Sequence, residues 1–474
     1  MTVDAIVVGS GPNGLAAAIT LARSGRSVRV LEAGPEPGGG TRTAELTEPG
    51  YRHDVCSAIH PLAAASPFFA SVDLAARGLE LIHPPVALAH PLDGGRAAVV
   101  RRSLGETAAG LGPDGARWEQ LVGWPARHWD RWAPAALGPV LRPPRHPLAL
   151  TRFGLPGLVP ASVTARAFAR PEGAALLAGA AAHSFLPLNH PLTTAMGVTL
   201  AAAAHHAGWP LVAGGSQRLA EAMVAELEAH GGEVRCGEAV RTMGQVTGAR
   251  AVLFDLSPPQ VAQIAAGDLS DRDRRRYRRF RPGPAVFKVD YLISEPVPWA
   301  NPACTAAGTV HVGGTWQEVA RSEAEVTAGR HPERPFVLVA QQSLFDPARR
   351  PPGAAHHTLW VYCHVPNGST VDMTAAIEAQ IERFAPGFRD TIVARHAAGP
   401  AWFELHNENY VGGDIGGGSP AGARLLMRPG WRLHPYRTSN PRLFLCSAST
   451  PPGAGVHGMC GHHAALDALA TVLA

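Results

Sequence analysis

The stretch VDAIVVGSGPNGLAAAITLARSGRSVRVLEAG, residues 3–34, decides the fold of this chain. It opens with a short apolar run at 3–8 and passes through a glycine-rich loop into a predicted helix of small residues at 15–24, which Gly25 ends. A second apolar run follows at 28–31. Two buried strands joined by a helix within about thirty residues form a βαβ unit. This unit predicts an α/β fold of the Rossmann type.

The loop after the first predicted strand has the spacing G-x-G-x-x-G. Gly9 permits the tight turn, Gly11 lets backbone N–H groups approach a pyrophosphate, and Gly14 allows the helix to pack closely on the strand. The helix N-terminus adds partial positive charge for phosphates. Glu32, at the end of the second strand, can accept hydrogen bonds from both hydroxyls of a ribose. The candidate cofactor-binding residues of this unit are Gly9, Ser10, Gly11, Pro12, Asn13, Gly14, Glu32 and Ala33.

A second glycine cluster, GGGTRT at residues 38–43, follows this acid. An acid and then a glycine pair in this order resembles the FAD-binding flavoproteins of the glutathione-reductase/amine-oxidase type, which favours FAD over NAD. In that type the cluster wraps the diphosphate and the flavin. Arg42 is either a cation that offsets phosphate charge or a surface arginine. The resemblance implies further cofactor contacts from Gly39, Gly40, Thr41 and, through its backbone to the adenine, Val240.

The end of the chain carries a second G-x-G-x-x-G, at residues 453–458, between a predicted strand and a predicted helix. Only sixteen residues follow it, too few for another strand with a ribose-binding acid. A helix N-terminus aimed at the flavin is the better interpretation, because backbone N–H groups stabilise the negative charge of the reduced ring. This interpretation predicts flavin contacts from Gly455, Val456 and Met459.

Three separated pieces of the chain share a strand-and-helix pattern: residues 1–95, 213–279 and 431–474. We predict that they form one α/β domain, a Rossmann-type FAD-binding domain of the glutathione-reductase/amine-oxidase type. The stretch 96–212 is helical and broken by prolines, and the stretch 280–430 has the alternation of strands. These two stretches are predicted to form a discontinuous α+β substrate domain.

Local signals complete the predicted first domain. Ser216 is placed to cap a helix with the apolar stripe Leu219, Met223 and Leu227. Further strands are predicted at 233–236, 250–254 and 443–446, and a terminal helix at 461–473.

With these segments placed, the chain resembles the phytoene desaturase-like flavoproteins. The segments that carry the resemblance are GSGPNGLAAAITLARSG, PGGGTRTAELTEPGYRHDVCSAIHP, GGSQRLAEAM, YRRFRPGPAVFKVDY and YRTSNPRLFLCSASTPPGAGVHGMCGHHAA. The PNGL loop and the GVHGMCG ending are closer to the branch that resembles the animal pyridine nucleotide-disulfide oxidoreductase domain-containing protein 2. Many relatives have an arginine where this chain has Gly40, so the role of that arginine does not transfer directly to Arg42. The resemblance implies non-covalent FAD and hydride chemistry on hydrophobic or small organic substrates.

Three functions fit this reading. The first is an FAD-dependent dehydrogenase or desaturase that transfers a hydride to flavin N5 and passes the electrons to oxygen or a quinone. The second is an amine or amino-acid oxidase, which would need an aromatic cage and usually an arginine for a substrate carboxylate; the low count of six tyrosines disfavours it. The third is a non-catalytic interaction protein that FAD stabilises.

The catalytic candidates are His60, in SAIHP, and His457, in the C-terminal glycine loop. The alternative for each is a hydrogen-bonded core or loop histidine, since the chain has 22 histidines. His364 and His406 lie on predicted strands of the substrate domain, where they either face the substrate or do not. The six cysteines and the histidines show no metal-ligand spacing, so no metal is expected.

The net charge of +4 is too small to indicate nucleic acid. Seven arginines at 272–281 are predicted to form a solvated helix face. Residues 131–171 contain six arginines and no acid among apolar residues and prolines, which predicts either a membrane-facing surface or a lid. No apolar run is long enough to span a bilayer, and only Met1 and Thr2 precede the first strand, so we expect a cytoplasmic protein with or without peripheral membrane contact. The oligomeric state stays open.

Overall fold

The computed structural model describes residues 3–139, 141–425 and 427–474. Met1, Thr2, Val140 and Leu426 fall in the predicted domain ranges, and Val140 also in the predicted membrane-facing or lid segment, but they lie outside the described residues.

The strands are β1 (Ala5–Val8), β2 (Val28–Leu31), β3 (Thr43–Ala44), β4 (His53–Asp54), β5 (Leu81–Ile82), β6 (Val86–Leu92), β7 (Arg96–Val100), β8 (Leu211–Val212), β9 (Glu233–Arg235), β10 (Ala251–Phe254), β11 (Ala285–Ile293), β12 (Ala307–Val312), β13 (Val337–Ala340), β14 (His357–Val365), β15 (Ile392–Ala398) and β16 (Leu443–Leu445). The helices are α1 (Pro12–Arg23), α2 (Pro61–Ala64), α3 (Pro67–Ala70), α4 (Leu104–Gly110), α5 (Gly115–Trp118), α6 (Trp124–Arg127), α7 (Trp129–Ala136), α8 (Pro147–Gly157), α9 (Ala161–Ala165), α10 (Pro171–Ala182), α11 (Thr193–His206), α12 (Gln217–Ala229), α13 (Pro258–Ile264), α14 (Asp271–Arg278), α15 (Pro302–Thr305), α16 (Trp316–Thr327), α17 (Thr374–Glu382), α18 (Pro400–His406) and α19 (Met459–Leu469).

The smaller of the two main sheets has five strands in the order β16-β10-β1-β2-β9, and all its neighbours are parallel. Strand β1 and strand β10 are apolar and buried throughout, as expected when helices cover both faces of a parallel sheet. The five strands come from three separate parts of the chain. The predicted Rossmann-type α/β fold is confirmed.

Helices α1 and α19 both pack on the smaller sheet, and the contact between the two helices is close. A Cβ atom at Gly461 of α19 would lie 1.7 Å from the carbonyl oxygen of Asn13. Helix α1 starts at Pro12, whose fixed φ suits the first helical position, and ends at Arg23; Gly25, two residues later, has the left-handed conformation at φ 78°. Helix α19 starts at Met459, two residues before the predicted start.

Two local predictions are wrong. Ser216 has helical dihedrals of φ −60° and ψ −24° and makes no cap, because its hydroxyl donates to the carbonyl of Ser57 instead. His406 was expected on a strand, but it is the last residue of α18, a helix that begins at Pro400. His364 lies on β14, as predicted.

The larger sheet has seven strands in the order β15-β11-β14-β13-β12-β6-β7, antiparallel except for the pair β6–β12. The predicted boundary at residue 95 falls within the hairpin of β6 and β7. Because the two strands pair with each other, both belong to this sheet, which begins at Val86. Helices α10 and α11 pack against each other, and α10 also packs on β6 and β7.

The variant Gly461→Ala tests the contact between α1 and α19. We expect it to lower the free energy of unfolding by about 1–3 kcal/mol, the usual cost of overpacking, in urea denaturation followed by circular dichroism. Gly154→Ala is the matched control, since Gly154 is also inside a helix but its Cβ would meet nothing within 4 Å. The control should gain helix propensity and lose no stability. An equal loss in both variants would contradict the contact.

Candidate functional site

A cavity of about 880 Å³ lies between the smaller sheet and one face of the larger sheet. Its first end is formed where β1, β2, β10 and β16 finish, by residues such as Gly9, Glu32, Asp255 and Ser447. Its second end reaches Thr309 and neighbouring side chains of the larger sheet. Ligands of α/β proteins bind in this place, outside the carboxyl ends of parallel strands.

Most of the residues predicted to bind the cofactor line this cavity. They are Gly9, Ser10, Gly11, Pro12, Asn13, Glu32, Ala33, Gly39, Gly40, Arg42, Val240, Gly455 and Val456. The other three, Gly14, Thr41 and Met459, do not line the cavity. The Thr41 hydroxyl donates to the Gly38 carbonyl at 2.7 Å, and Met459 begins α19. The tertiary structure therefore brings together segments of the chain that are hundreds of residues apart.

The two N-terminal glycine clusters contact each other through their backbones. A Cβ at Gly14 would lie 2.1 Å from the Gly9 carbonyl oxygen, and a Cβ at Gly39 would lie 2.9 Å from the Cα of Gly11. Gly9 and Gly39 have positive φ values of 98° and 56°. Side chains are excluded here for steric reasons, so backbone N–H groups form the surface that a ligand meets.

Glu32 is held by donors around it. Its carboxylate accepts hydrogen bonds from the N–H of Ser10 at 2.9 Å and the N–H of Gly34 at 2.8 Å, and a further one from the Ser10 hydroxyl. The guanidinium of Arg42 lies 3.7 Å away, and its side chain is mostly buried. Arg42 is therefore a partner of Glu32 at the cavity wall and not a surface arginine.

Asp255 is a site residue that the sequence analysis missed. It follows β10 directly, as Glu32 follows β2, and its Oδ2 accepts the N–H of Gly14 at 2.9 Å at the start of α1. Burial raises the pKa of Asp255 to about 7, although the hydrogen bonds from Gly14 and Gly11 oppose this shift. An acid directly after a third predicted parallel strand was the available signal.

The two predicted catalytic histidines have different surroundings. His60 lines the cavity, and its Nε2 lies 2.9 Å from the Ser216 hydroxyl. His457 does not line the cavity, and its Nδ1 accepts a hydrogen bond from the N–H of Met459 at 3.0 Å. Burial lowers the pKa of each imidazole to about 4, so both rings are neutral at pH 7.

The second end of the cavity, which we call the chamber, has an aromatic wall. Trp360 and Tyr362 alternate along β14, and their ring centroids are 4.9 Å apart in an edge-on arrangement. Tyr410 lies between the chamber and the glycine cluster, because a Cβ at Gly40 would be 2.3 Å from its hydroxyl. The chamber is lined by Cys56, His183, Phe185, Met196, Leu200, Trp209, Thr309, Leu338, Trp360, Tyr362, Tyr410 and Ile415.

This wall was not predicted, although the text WVYCH at 360–364 contained a signal: alternate strand residues share one face of a sheet. The low tyrosine count is no argument against an aromatic wall, because two of the six tyrosines line the chamber. Among the described residues, no carboxylate and no arginine lines the chamber; the acids and arginines of the cavity, among them Glu32, Asp255 and Arg42, lie at the first end.

A buried pair of histidines and a buried histidine–glutamate pair lie at the chamber. His183 lines it, with Nε2 at 3.1 Å from the Nε2 of His311 on β12. The His364 ring lies against Phe185 in a tilted arrangement, with 4.1 Å between ring centroids, and its Nδ1 is 2.8 Å from Glu323. Burial lowers the pKa of His183 to about 3. Within the described ranges, no group of three or more acids, histidines or cysteines is arranged to hold a metal ion.

Comparisons with known proteins agree with this architecture. Residues 7–72 match the family model described as "NAD(P)-binding Rossmann-like domain". No curated protein matches the chain by sequence. A solved oxidoreductase from Methanosarcina mazei superposes with a TM-score of 0.64 at 13% identity, covering 98% of this chain and 99% of that one.

Two amine oxidases have the same architecture. Putrescine oxidase bound to putrescine gives a TM-score of 0.60 at 18% identity, with 99% of each chain covered. Cyclohexylamine oxidase from Brevibacterium oxydans gives 0.56 at 14% identity, with 100% of this chain and 99% of that chain covered. At these identities the comparison concerns the fold. The chain has an α/β fold of the amine-oxidase type, with a Rossmann-like domain and a separate sheet facing it across the cavity.

The raised pKa of Asp255 predicts a pH-dependent penalty. The folded protein holds this proton up to about pH 7, whereas an unfolded aspartate releases it near pH 4. The stability that Asp255 contributes is therefore lost as the pH rises from about 4 to about 7. We expect Asp255→Asn, which keeps an acceptor for Gly14 but carries no charge, to melt at a higher temperature than the unmutated protein at pH 8.

The melting temperatures of the two proteins should be compared between pH 5 and pH 8 without added ligand. The buried histidines change stability equally in both, so the difference isolates Asp255. A difference that stays constant over this range would contradict the assignment.

Proposed function

We propose that this chain is an FAD-dependent oxidoreductase that removes a hydride from an uncharged, largely apolar organic substrate. One observation supports this proposal above the others. The glycine-lined end and the aromatic chamber form one continuous cavity. A dinucleotide seated at the first end would therefore have a space for a second molecule directly beside it.

The residues at the first end fit FAD. The start of α1 offers backbone N–H groups and the positive end of its dipole, and the glycine contacts leave no side chains in the way. The Glu32 carboxylate stands at the end of β2, in the position that binds a ribose in such folds. Val240, Gly455 and Val456 extend the same cavity at positions suited to the adenine and the flavin.

When bound, FAD supplies a two-electron acceptor that takes up a hydride. This chain would supply orientation and exclusion of water. Trp360, Tyr362 and Leu338 would hold an apolar substrate by dispersion and burial of its surface. His60 is neutral at pH 7 and bonded to Ser216, so it is placed to orient groups in the cavity. Electrons would leave to oxygen or a quinone.

The lining of the chamber supports an uncharged substrate. A buried ammonium group needs a carboxylate or a set of acceptors, and a buried carboxylate needs a cation. The described lining of the chamber supplies neither kind of charged partner. This favours a dehydrogenase or desaturase of the phytoene desaturase-like kind over an amino-acid oxidase.

An amine oxidase is the second candidate function. The observation that favours it is the aromatic wall of Trp360, Tyr362 and Tyr410, because aromatic faces attract cations. The proteins of the same fold that are named as amine oxidases add to this alternative. An uncharged amine would still be compatible with the chamber.

Substrate panels distinguish these functions. The purified protein should be yellow, and anaerobic bleaching of its flavin should follow mixing with members of a polyene or hydroxy-compound panel. Bleaching by amines alone would support the second candidate. A flavin that a chemical reductant bleaches but no substrate does would favour a non-catalytic flavoprotein. A colourless protein that FAD cannot reconstitute would overturn the proposal.

Two variants separate the two ends of the cavity. Gly11→Ala places a Cβ 2.6 Å from Asp255 Oδ2 on the cavity wall, so it should abolish retention of FAD. Leu338→Phe should retain FAD but lower kcat/KM by at least about tenfold, because it narrows the chamber. Flavin content and anaerobic bleaching rates measure the two effects. Each variant is the control for the other, and loss of flavin in both would contradict the assignment of the chamber.

A further inference from the structure

Residues 141–163 carry an unusual share of the exposed apolar side chains. Ten large apolar residues are exposed in the described part of the chain, and five of them lie here. They are Leu141, Leu148, Leu155, Leu158 and Val163. We call the outer surface of residues 141–166 the α8 face. Leu148 is 85% exposed and Leu155 is 62% exposed, an arrangement that costs free energy in water unless something covers it.

The periodicity of α8 separates this face from the core. Ala149, Phe153 and Gly157 recur every four residues and are buried, whereas Leu148 and Leu155, seven residues apart, point outward. Leu141 also shares a shallow groove with Leu433, which is 67% exposed, so the apolar surface continues onto the segment near residue 433.

Positive charge surrounds the apolar residues. All six arginines between residues 131 and 171 are exposed, and this stretch contains no acid. In the part of the chain that the structure describes, none of the six guanidinium groups has a carboxylate within 4.0 Å; the backbone N–H of Arg170, not its side chain, donates to Asp114. Two of them lie over indole rings, Arg152 over Trp124 at 4.6 Å and Arg166 over Trp316 at 5.9 Å. These guanidinium groups are free to pair with anions outside the protein.

We propose that the α8 face docks on the surface of an anionic phospholipid bilayer. Exposed leucines would enter the boundary between headgroups and acyl chains, while the arginines would pair with lipid phosphates. An acidic protein partner would account for the arginines but not for the exposed apolar side chains, which are distributed over a turn, α8 and α9. None of the described helices is long and apolar enough to cross a bilayer, so the attachment is peripheral.

The α8 face lies close to the chamber, so docking there would bring the chamber near the lipid. No described residue of 131–171 lines the cavity, so this segment does not cover the cavity as a lid. Helix α8 packs on α11, and Gly157 approaches so closely that its Cβ would lie 2.9 Å from Ala195. Met196 and Leu200 of that same α11 line the chamber. Helix α11 therefore separates the α8 face from the chamber.

Vesicle flotation of the full chain tests this proposal. Vesicles of equal parts phosphatidylcholine and phosphatidylglycerol should carry the protein at about 0.01 M salt and release much of it at about 1 M salt, where the Debye length falls to about 3 Å. Vesicles of phosphatidylcholine alone should carry less. An absence of binding to the anionic vesicles at low salt would overturn the proposal.

Matched variants locate the contact. Leu148→Gln with Leu155→Gln should weaken binding at least about tenfold, and Arg142→Glu with Arg145→Glu should do the same at low salt. The controls are Val371→Gln with Val393→Gln and Arg321→Glu with Arg330→Glu, which alter exposed residues elsewhere. Equal losses in the controls would overturn the location. Unchanged melting temperatures show that the variants are folded.

A second copy of the chain is the competing occupant. Light scattering of the protein without lipid distinguishes it: a dimer that Leu148→Gln with Leu155→Gln dissociates, together with no vesicle binding, would overturn the membrane proposal. The flavin content and the bleaching assay are independent of this result, since the α8 face lies outside the cavity.

Discussion

The structure depends on the close approach of backbones at the start of α1. Three glycines from different parts of the chain make this contact: Gly14 meets the Gly9 carbonyl, Gly39 meets Gly11, and Gly461 meets Asn13. Each leaves no space for a Cβ. Because the contacts are steric, they fix the N-terminal loop, the second glycine cluster and the C-terminal helix relative to one another, and the position of the cavity follows from that arrangement.

The two carboxylates near this contact, those of Glu32 and Asp255, have different surroundings. Glu32 is surrounded by donors and by Arg42, so its negative charge is stabilised at the end of β2. Asp255, one strand away on the other side of β1, is buried beside the same helix N-terminus, and its pKa is raised to about 7. An anionic ligand at this end would meet one carboxylate that is firmly held and another that can take up a proton. The chain thereby limits the negative charge that a bound diphosphate would face.

The larger sheet carries both the aromatic side chains that line the chamber and a buried ion pair. One face of β14 presents Trp360 and Tyr362 to the chamber, while the only lysine of the chain, Lys288 on the neighbouring β11, is buried and paired with Asp290. The charge of this lysine is thus matched by a buried acid. What the chamber offers to a ligand is mainly apolar and aromatic surface, in contrast to the exposed arginines and leucines of the α8 face.

The sequence alone determined the Rossmann-type fold, because strand, glycine loop, helix and strand are contiguous and each step has a local physical cause. It also predicted that Glu32 and both N-terminal glycine clusters lie together, since their spacing is short, and they line one end of the cavity. The aromatic wall, Asp255 and the exposed face of α8 were decided by tertiary structure. Trp360 becomes a chamber residue only when β14 pairs within the larger sheet, opposite the first domain. Asp255 acquires its raised pKa only when the fold buries it beside the start of α1, where Gly14 is 241 positions away along the chain. Ser216 and His406 show the same limit. The Ser216 hydroxyl donates to the carbonyl of Ser57, 159 residues away, instead of capping its own helix. His406 lies in a helix that begins at a proline, although its local sequence predicted a strand.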